Sequence, residues 1–172
     1  MECLQIFLTW PCNLKSKVTC NQNTLSDFKI THPRTPEEFE EYFDLRWRIL
    51  RAPWGQPRGS EKDTMEEDAE HISISSDNGL LIGVGRLHQL NSDEAQIRYM
   101  AVENNFRNQG VGLAIYSYLE NIAYSKGHKI IILNARLSAI SFYEHLGFII
   151  IKDGDTLFKE IEHKVMQKEI TL

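Results

Sequence analysis

At 172 residues the chain suits one domain with a sizeable core. Its 42% hydrophobic and 25% charged residues are ordinary for a globular protein. A net charge of −5 argues against nucleic acid as a general partner, and no apolar run is long enough to span a membrane.

Residues 1–27 have no regular period and hold all the cysteines, Cys3, Cys12 and Cys20. The cysteines fit no zinc spacing and form an odd set for disulfides, and no metal is expected. We read this stretch as a poorly ordered tail and residues 28–172 as the domain, which then has no cysteine to carry an acyl group. The mildly apolar residues 4–10 lack a preceding basic stretch, so the chain reads as cytoplasmic rather than exported.

A short strand at Phe28–Ile30 opens the domain. Thr35-Pro36-Glu37-Glu38 is a capping box with proline at the first helical position. The helix it starts runs to about Leu50, with Phe39, Phe43, Trp47 and Leu50, joined by Tyr42, on one face. Pro53, Gly55, Pro57 and Gly59 keep residues 51–68 irregular to about Thr64. A hairpin follows: His71–Ser75, a turn at Asp77-Asn78-Gly79, and Leu80–Leu90. After Asn91-Ser92-Asp93 a further strand ends at Val102. A helix with Ile115, Tyr118, Leu119 and Ile122 inward is stopped by Gly127. Ile130–Leu133 is apolar on both faces, hence central in a sheet. A short helix at Ser138–Leu146, a strand at Phe148–Lys152, a turn at Asp153-Gly154-Asp155 and a last strand near Leu157–Gln167 complete the chain.

The densest information lies between Val102 and the helix. Arg107-Asn108-Gln109-Gly110-Val111-Gly112 joins a strand to a helix whose first N–H groups have no intrahelical partner, so an anion is favoured there. Gly110 and Gly112 let the backbone approach a diphosphate, and Arg107 can add a bidentate contact. No Lys-Ser or Lys-Thr follows, which excludes a Walker loop, and Ile115 occupies the place of the third small residue of a dinucleotide fingerprint.

R-x-x-G-x-G after a strand resembles the acetyl-coenzyme A loop of the Gcn5-related N-acetyltransferases (GNAT). A second motif of that family, A-x-x-[FL]-Y-x-x-x-G-F, is matched by Ala139, Phe142, Tyr143, Gly147 and Phe148. The likeness covers roughly residues 28–168, and the ending Leu157–Met166 is most similar to the small ElaA-like group.

This resemblance implies an α/β acyl-coenzyme A N-acyltransferase fold: a mixed six- to seven-stranded sheet, splayed beside Val102, flanked by about four helices. It implies acetyl-coenzyme A as cosubstrate, with its pantetheine arm along Met100, Ala101 and Val102 and its diphosphate on the 107–112 loop. Asn134 is placed to bond the pantetheine amides; so is Arg136, which stands where the family more often has asparagine. Tyr143 matches the tyrosine that protonates the departing thiolate. The resemblance leaves the base open: Glu103 is near enough to act through a water but reads equally as a solvated turn carboxylate, and His88 and His163 are rivals. Asn104 replaces a common proline, which changes turn stiffness more than chemistry. The run Glu61, Asp63, Glu66, Glu67, Asp68 and Glu70 is either a solvated face or an acidic mouth for a cationic amine. The expected reaction is direct acetylation of a primary amine on a small molecule or peptide. A module that holds coenzyme A without turnover is the alternative. Expected partners are acetyl-coenzyme A and the acceptor, with a homodimer left open and neither nucleic acid nor membrane.

Overall fold

A computed structural model describes residues 28–170. The tail expected at residues 1–27, with its cysteines, lies outside the described residues.

Seven strands form one sheet: β1 (Phe28–Thr31), β2 (Glu70–Ser76), β3 (Leu81–Gln89), β4 (Glu94–Val102), β5 (Ile130–Arg136), β6 (Ile149–Asp153) and β7 (His163–Glu169). Their order is β1-β2-β3-β4-β5-β7-β6, and only the β4–β5 pair is parallel. The sheet is therefore mixed, and β5 is central as its two apolar faces require.

The described residues hold three α-helices rather than about four: α1 (Pro36–Leu50), α2 (Val111–Ser125) and α3 (Ile140–His145). Between α1 and β2 the prolines and glycines allow only a single 3-10 turn, Ala52–Trp54. The capping box is present, with Thr35 Oγ1 accepting from the Glu38 N–H and the Glu38 carboxylate accepting from the Thr35 N–H.

Two helix faces clamp the sheet. On one side α2 presses Val111, Ile115 and Leu119 onto β2, β3 and β4 in the main core. The approach is close because β3 carries glycine there: a Cβ on Gly85 would lie 2.5 Å from Ile115 Cγ2. On the other side Tyr42 and Leu45 of α1 meet Val84 and Ala101. The face of α1 is rotated from the expected one. Tyr42, Leu45 and Arg46 are fully buried, whereas Phe39, Phe43, Trp47 and Leu50 are half-buried. The pattern was apolar, but the deepest position on this helix takes an arginine.

The last strand starts later than expected, at His163. Before it, Phe158 and Lys159 both adopt positive φ (54° and 61°) in a tight loop closed by a bridge between Leu157 and Ile161.

Candidate active site

β4 and β5 are paired only from Glu94–Ile97 to Ile130–Leu133, yet both strands continue and so diverge into a cleft. A bulge starts the divergence. Arg86 faces Arg98 but Val84 faces Ala101, so β4 holds one residue more than β3. Within it Tyr99 has φ 54°, a conformation that is strained for an aromatic side chain.

Buried charge holds this strained residue in place. The Arg46 guanidinium lies 3.8 Å from the Tyr99 ring centroid and that of Arg86 lies 4.9 Å away. Tyr99 Oη donates to Asp63 Oδ2 at 3.2 Å. Neither Arg46 nor Arg86 has exposed surface. Glu66 sits between them, 2.9 Å from Arg46 and 2.6 Å from Arg86. Asp63 takes Arg86 in a bidentate pair at 2.6 and 3.0 Å and reaches Arg98 at 3.1 Å. Burial alone would raise the Asp63 carboxyl, but Arg86, the Met65 N–H and Arg98 outweigh it and hold it well below the usual range. Glu66 is lowered in the same way, by Arg46 and Arg86 against its burial.

The acidic run is thus neither a solvated face nor an acidic mouth. Asp63 and Glu66 turn inward to two buried arginines. Glu61 is buried, its carbonyl accepting from Arg46 and its carboxylate from the Gly59 N–H, and Glu70 pairs with Lys126. Only Glu67 and Asp68 remain exposed.

Downstream of the bulge, Met100, Ala101, Val102, Arg107, Asn108, Gly110, Gly112, Asn134, Arg136 and Tyr143 line one cleft of about 600 Å³. Three expected residues do not. Gln109 turns its amide back to the Asn105 carbonyl (2.7 Å), Val111 packs into the core, and Glu103 is ion-paired with Arg48 at 2.5 Å. The loop places Asn108 and Gly110 at positive φ (60° and 86°). Gly110 is the N-cap of α2, no side chain caps the helix, and the first intrahelical bond runs from the Ala114 N–H to the Gly110 carbonyl at 2.9 Å. The N–H groups of Val111, Gly112 and Leu113 therefore lack intrahelical partners at the mouth of the cleft.

The family model of the acetyltransferase (GNAT) family matches residues 39–148, which include the bulge, the loop and α3. The chain belongs to that family. A relative, the uncharacterized N-acetyltransferase YjcF of Bacillus subtilis, is 27% identical over 141 residues, covering 82% of this chain and 99% of that one. Among solved structures, a GNAT acetyltransferase from Elizabethkingia anophelis with acetyl-CoA bound superposes with a TM-score of 0.67 at 18% identity, covering 84% and 99% of the two chains. Escherichia coli ElaA shares the fold to the same TM-score, 0.67, at 18% identity over 83% of this chain and 99% of its own. The activity that comes with the family is N-acetyl transfer.

Within this GNAT cleft, Tyr143 lies between Phe142 and Phe148, its hydroxyl 3.5 Å from Met100 Sδ. Burial pushes its pKa up to about 12, so it stays a proton donor. Of the three base candidates only His163 lines the cleft. His88 is buried against Arg86 on β3. The His163 Nδ1 lies 2.9 Å from the Ile161 carbonyl and 3.2 Å from that of Asp155. Both are acceptors, so Nδ1 carries the proton and Nε2 keeps its lone pair. Burial lowers the His163 pKa, and Arg136 and Arg51 add to this against the two carbonyls. Sequence reasoning missed Arg51 and Arg98, which also line the cleft, and the buried Arg46 and Arg86 behind it. Among the described residues no helix is long and apolar enough to cross a membrane, and no group of side chains is arranged to hold a metal ion.

Proposed function

We propose that this chain is an acetyl-coenzyme A-dependent N-acetyltransferase that passes the acetyl group directly to a primary amine of a small molecule or peptide. The observation that carries the reading is the shared cleft: an uncapped helix N-terminus beside Arg107 opens onto the same space that Tyr143 and His163 line.

The residues fit the cosubstrate. Three unpartnered N–H groups and a guanidinium suit a diphosphate, and no side chain stands over Gly110. The backbone edge of Met100–Val102, freed from β5, can bond an extended amide arm and polarise a carbonyl, with Asn134 opposite. When bound, the cosubstrate supplies a thioester. His163 Nε2 takes a proton from the attacking amine. The C–N bond forms as the C–S bond breaks, and Tyr143 donates its proton to the sulfur. Amide and free thiol are the products. Glu103, held by Arg48 outside the cleft, serves the adjoining turn instead.

Two measurements test this. Free thiol should appear when acetyl-coenzyme A is mixed with a panel of amines. Gly110→Asp should abolish acetyl-coenzyme A binding in calorimetry: aspartate tolerates positive φ, the site has room, and its charge opposes the diphosphate. Unchanged affinity would refute the phosphate site. Binding with no thiol release from any amine would favour the non-catalytic module.

A further inference from the structure

One end of the cleft is crowded with cations. Arg51, Arg98 and Arg136 line it together, and Asp155 is the one carboxylate among its lining residues. Arg98 is spoken for by Asp63. Arg51 and Arg136 have no carboxylate within ion-pair distance among the described residues. A carbonyl positions Arg136, and carbonyls together with the Tyr99 and Phe158 rings position Arg51, whose guanidinium lies 5.5 and 5.4 Å from the two ring centroids. Arg51 donates from Nε to Ser60 (2.9 Å) and from Nη1 to Leu50 (3.2 Å), and Arg136 Nη2 leans on the same Leu50 carbonyl at 3.4 Å. Two guanidiniums, from the residue that follows α1 and from β5, therefore meet at the C-terminal end of α1, and neither has a carboxylate partner among the described residues. Arg51 is only 8% exposed and Arg136 is half-buried, so little water solvates the pair. Burial disfavours both charges, and Arg136 is opposed further by Arg51 and Arg107. Unscreened like charges held side by side complement an anion.

We infer that the acceptor is an amine that carries a carboxylate, seated between Arg51 and Arg136. This rests on the acetyl-transfer reading and names its substrate class. Chemistry at the other end of the molecule follows. Cations close by disfavour an ammonium, so the bound acceptor releases its nitrogen proton more readily. His163 stands directly across the β5–β7 register from Arg136 to receive it. The site thus selects by charge and activates by the same charge, and an amine with no anionic group meets Arg51, Arg98 and Arg136 against the single carboxylate of Asp155.

The test is thiol release from acetyl-coenzyme A with matched pairs: phenylalanine against phenethylamine, lysine against cadaverine, tyrosine against tyramine. A carboxylate-bearing member should exceed its decarboxylated twin by about 10- to 100-fold in kcat/KM, the worth of a charge-assisted pair. 3-Phenylpropionate should compete with the amine and not with acetyl-coenzyme A. Arg51→Gln and Arg136→Gln should each erase the preference, and for Arg51→Gln acetyl-coenzyme A affinity in calorimetry should stay. The pairs decide on the unmodified protein even if a variant fails to fold. Equal or better turnover of the decarboxylated twins would overturn this inference and leave acetyl transfer standing. Preference for succinyl-coenzyme A with the decarboxylated amines would assign the arginines to the acyl group instead. No release with either class, despite cosubstrate binding, would overturn both.

Discussion

Glu66→Gln isolates the buried charge that shapes the cleft. In the folded chain Glu66 takes both Arg46 nitrogens at 2.9 Å, Arg86 Nη1 at 2.6 Å and the Asp63 N–H at 3.1 Å. Glutamine keeps the volume but removes the charge and turns one acceptor into a donor facing guanidinium hydrogens. Arg86 retains its bidentate Asp63; Arg46 retains the Glu61 carbonyl and at most the one glutamine oxygen, and becomes a buried cation with no counter-charge. Removing one partner of such a pair costs about 3–5 kcal/mol. With roughly 2–4 °C of melting temperature per kcal/mol in a chain of this size, the midpoint should fall by about 6–20 °C. Adding Arg46→Met removes the orphaned cation and should recover part of the loss.

The pH dependence is a second readout of the same change. Asp63 and Glu66 are both depressed in the folded state, so the stability they contribute is present above the unfolded carboxylate value near ~4 and lost as pH falls through their folded values. Wild type should therefore weaken on acidification below about pH 5, and the variant should weaken less steeply over that window. Thermal melts followed by circular dichroism at neutral and acid pH measure both effects. A midpoint within about 2 °C of wild type at pH 7, with a parallel acid loss, would refute the assignment of Glu66 as the counter-charge.

Tyr143→Phe removes one hydroxyl whose sole partner among the described residues is a sulfur at 3.5 Å, so stability and cosubstrate affinity should hold while kcat falls by about 10²–10⁴-fold. Turnover at the wild-type rate would return Tyr143 to packing. With His163 as base, kcat/KM should rise with pH through a value below the ordinary imidazole range and then level, because Nε2 must be unprotonated and Arg51 and Arg136 oppose its protonation. His163→Gln should remove that limb and lower kcat by about 10²-fold; a limb that persists would show that another group, the substrate amine included, sets it.

What could be read from the chain ahead of the structure was whatever is local. A capping box needs four consecutive residues, and Thr35–Glu38 supplied them. The 107–112 loop announces itself because a strand, two glycines and a helix follow one another without interruption. Tyr143 is found by its spacing to Gly147 and Phe148. The ion pairs behind Tyr99 carry no such signal, since Arg46 and Glu66 lie 20 residues apart and Asp63 and Arg98 lie 35 apart. Each charge alone reads as surface, and only burial reveals that it must be paired. Two traces were nevertheless present: Arg46 falls four residues after Tyr42 on one helical face, and Arg86 interrupts an apolar strand. The loop at 158–159 has no glycine or proline to mark it, so the last strand seemed to begin at Leu157.

The same non-locality explains why the charge lining the cleft differs from the charge summed along the acidic run. Summed along the sequence, residues 61–70 are acidic and the chain is negative. In the folded chain Asp63 and Glu66 are spent on Arg46 and Arg86, while the residue after α1, β4 and β5 each deliver an arginine to one opening. Ligands respond to the field in a cleft with low-dielectric walls, not to net charge. The buried pairs thus do two things at once. They hold the bulge that opens the sheet, and they consume the acid that would otherwise neutralise Arg51 and Arg136. Removing Glu66 should for that reason disturb acceptor choice as well as stability, a coupling that a purely structural ion pair would not produce.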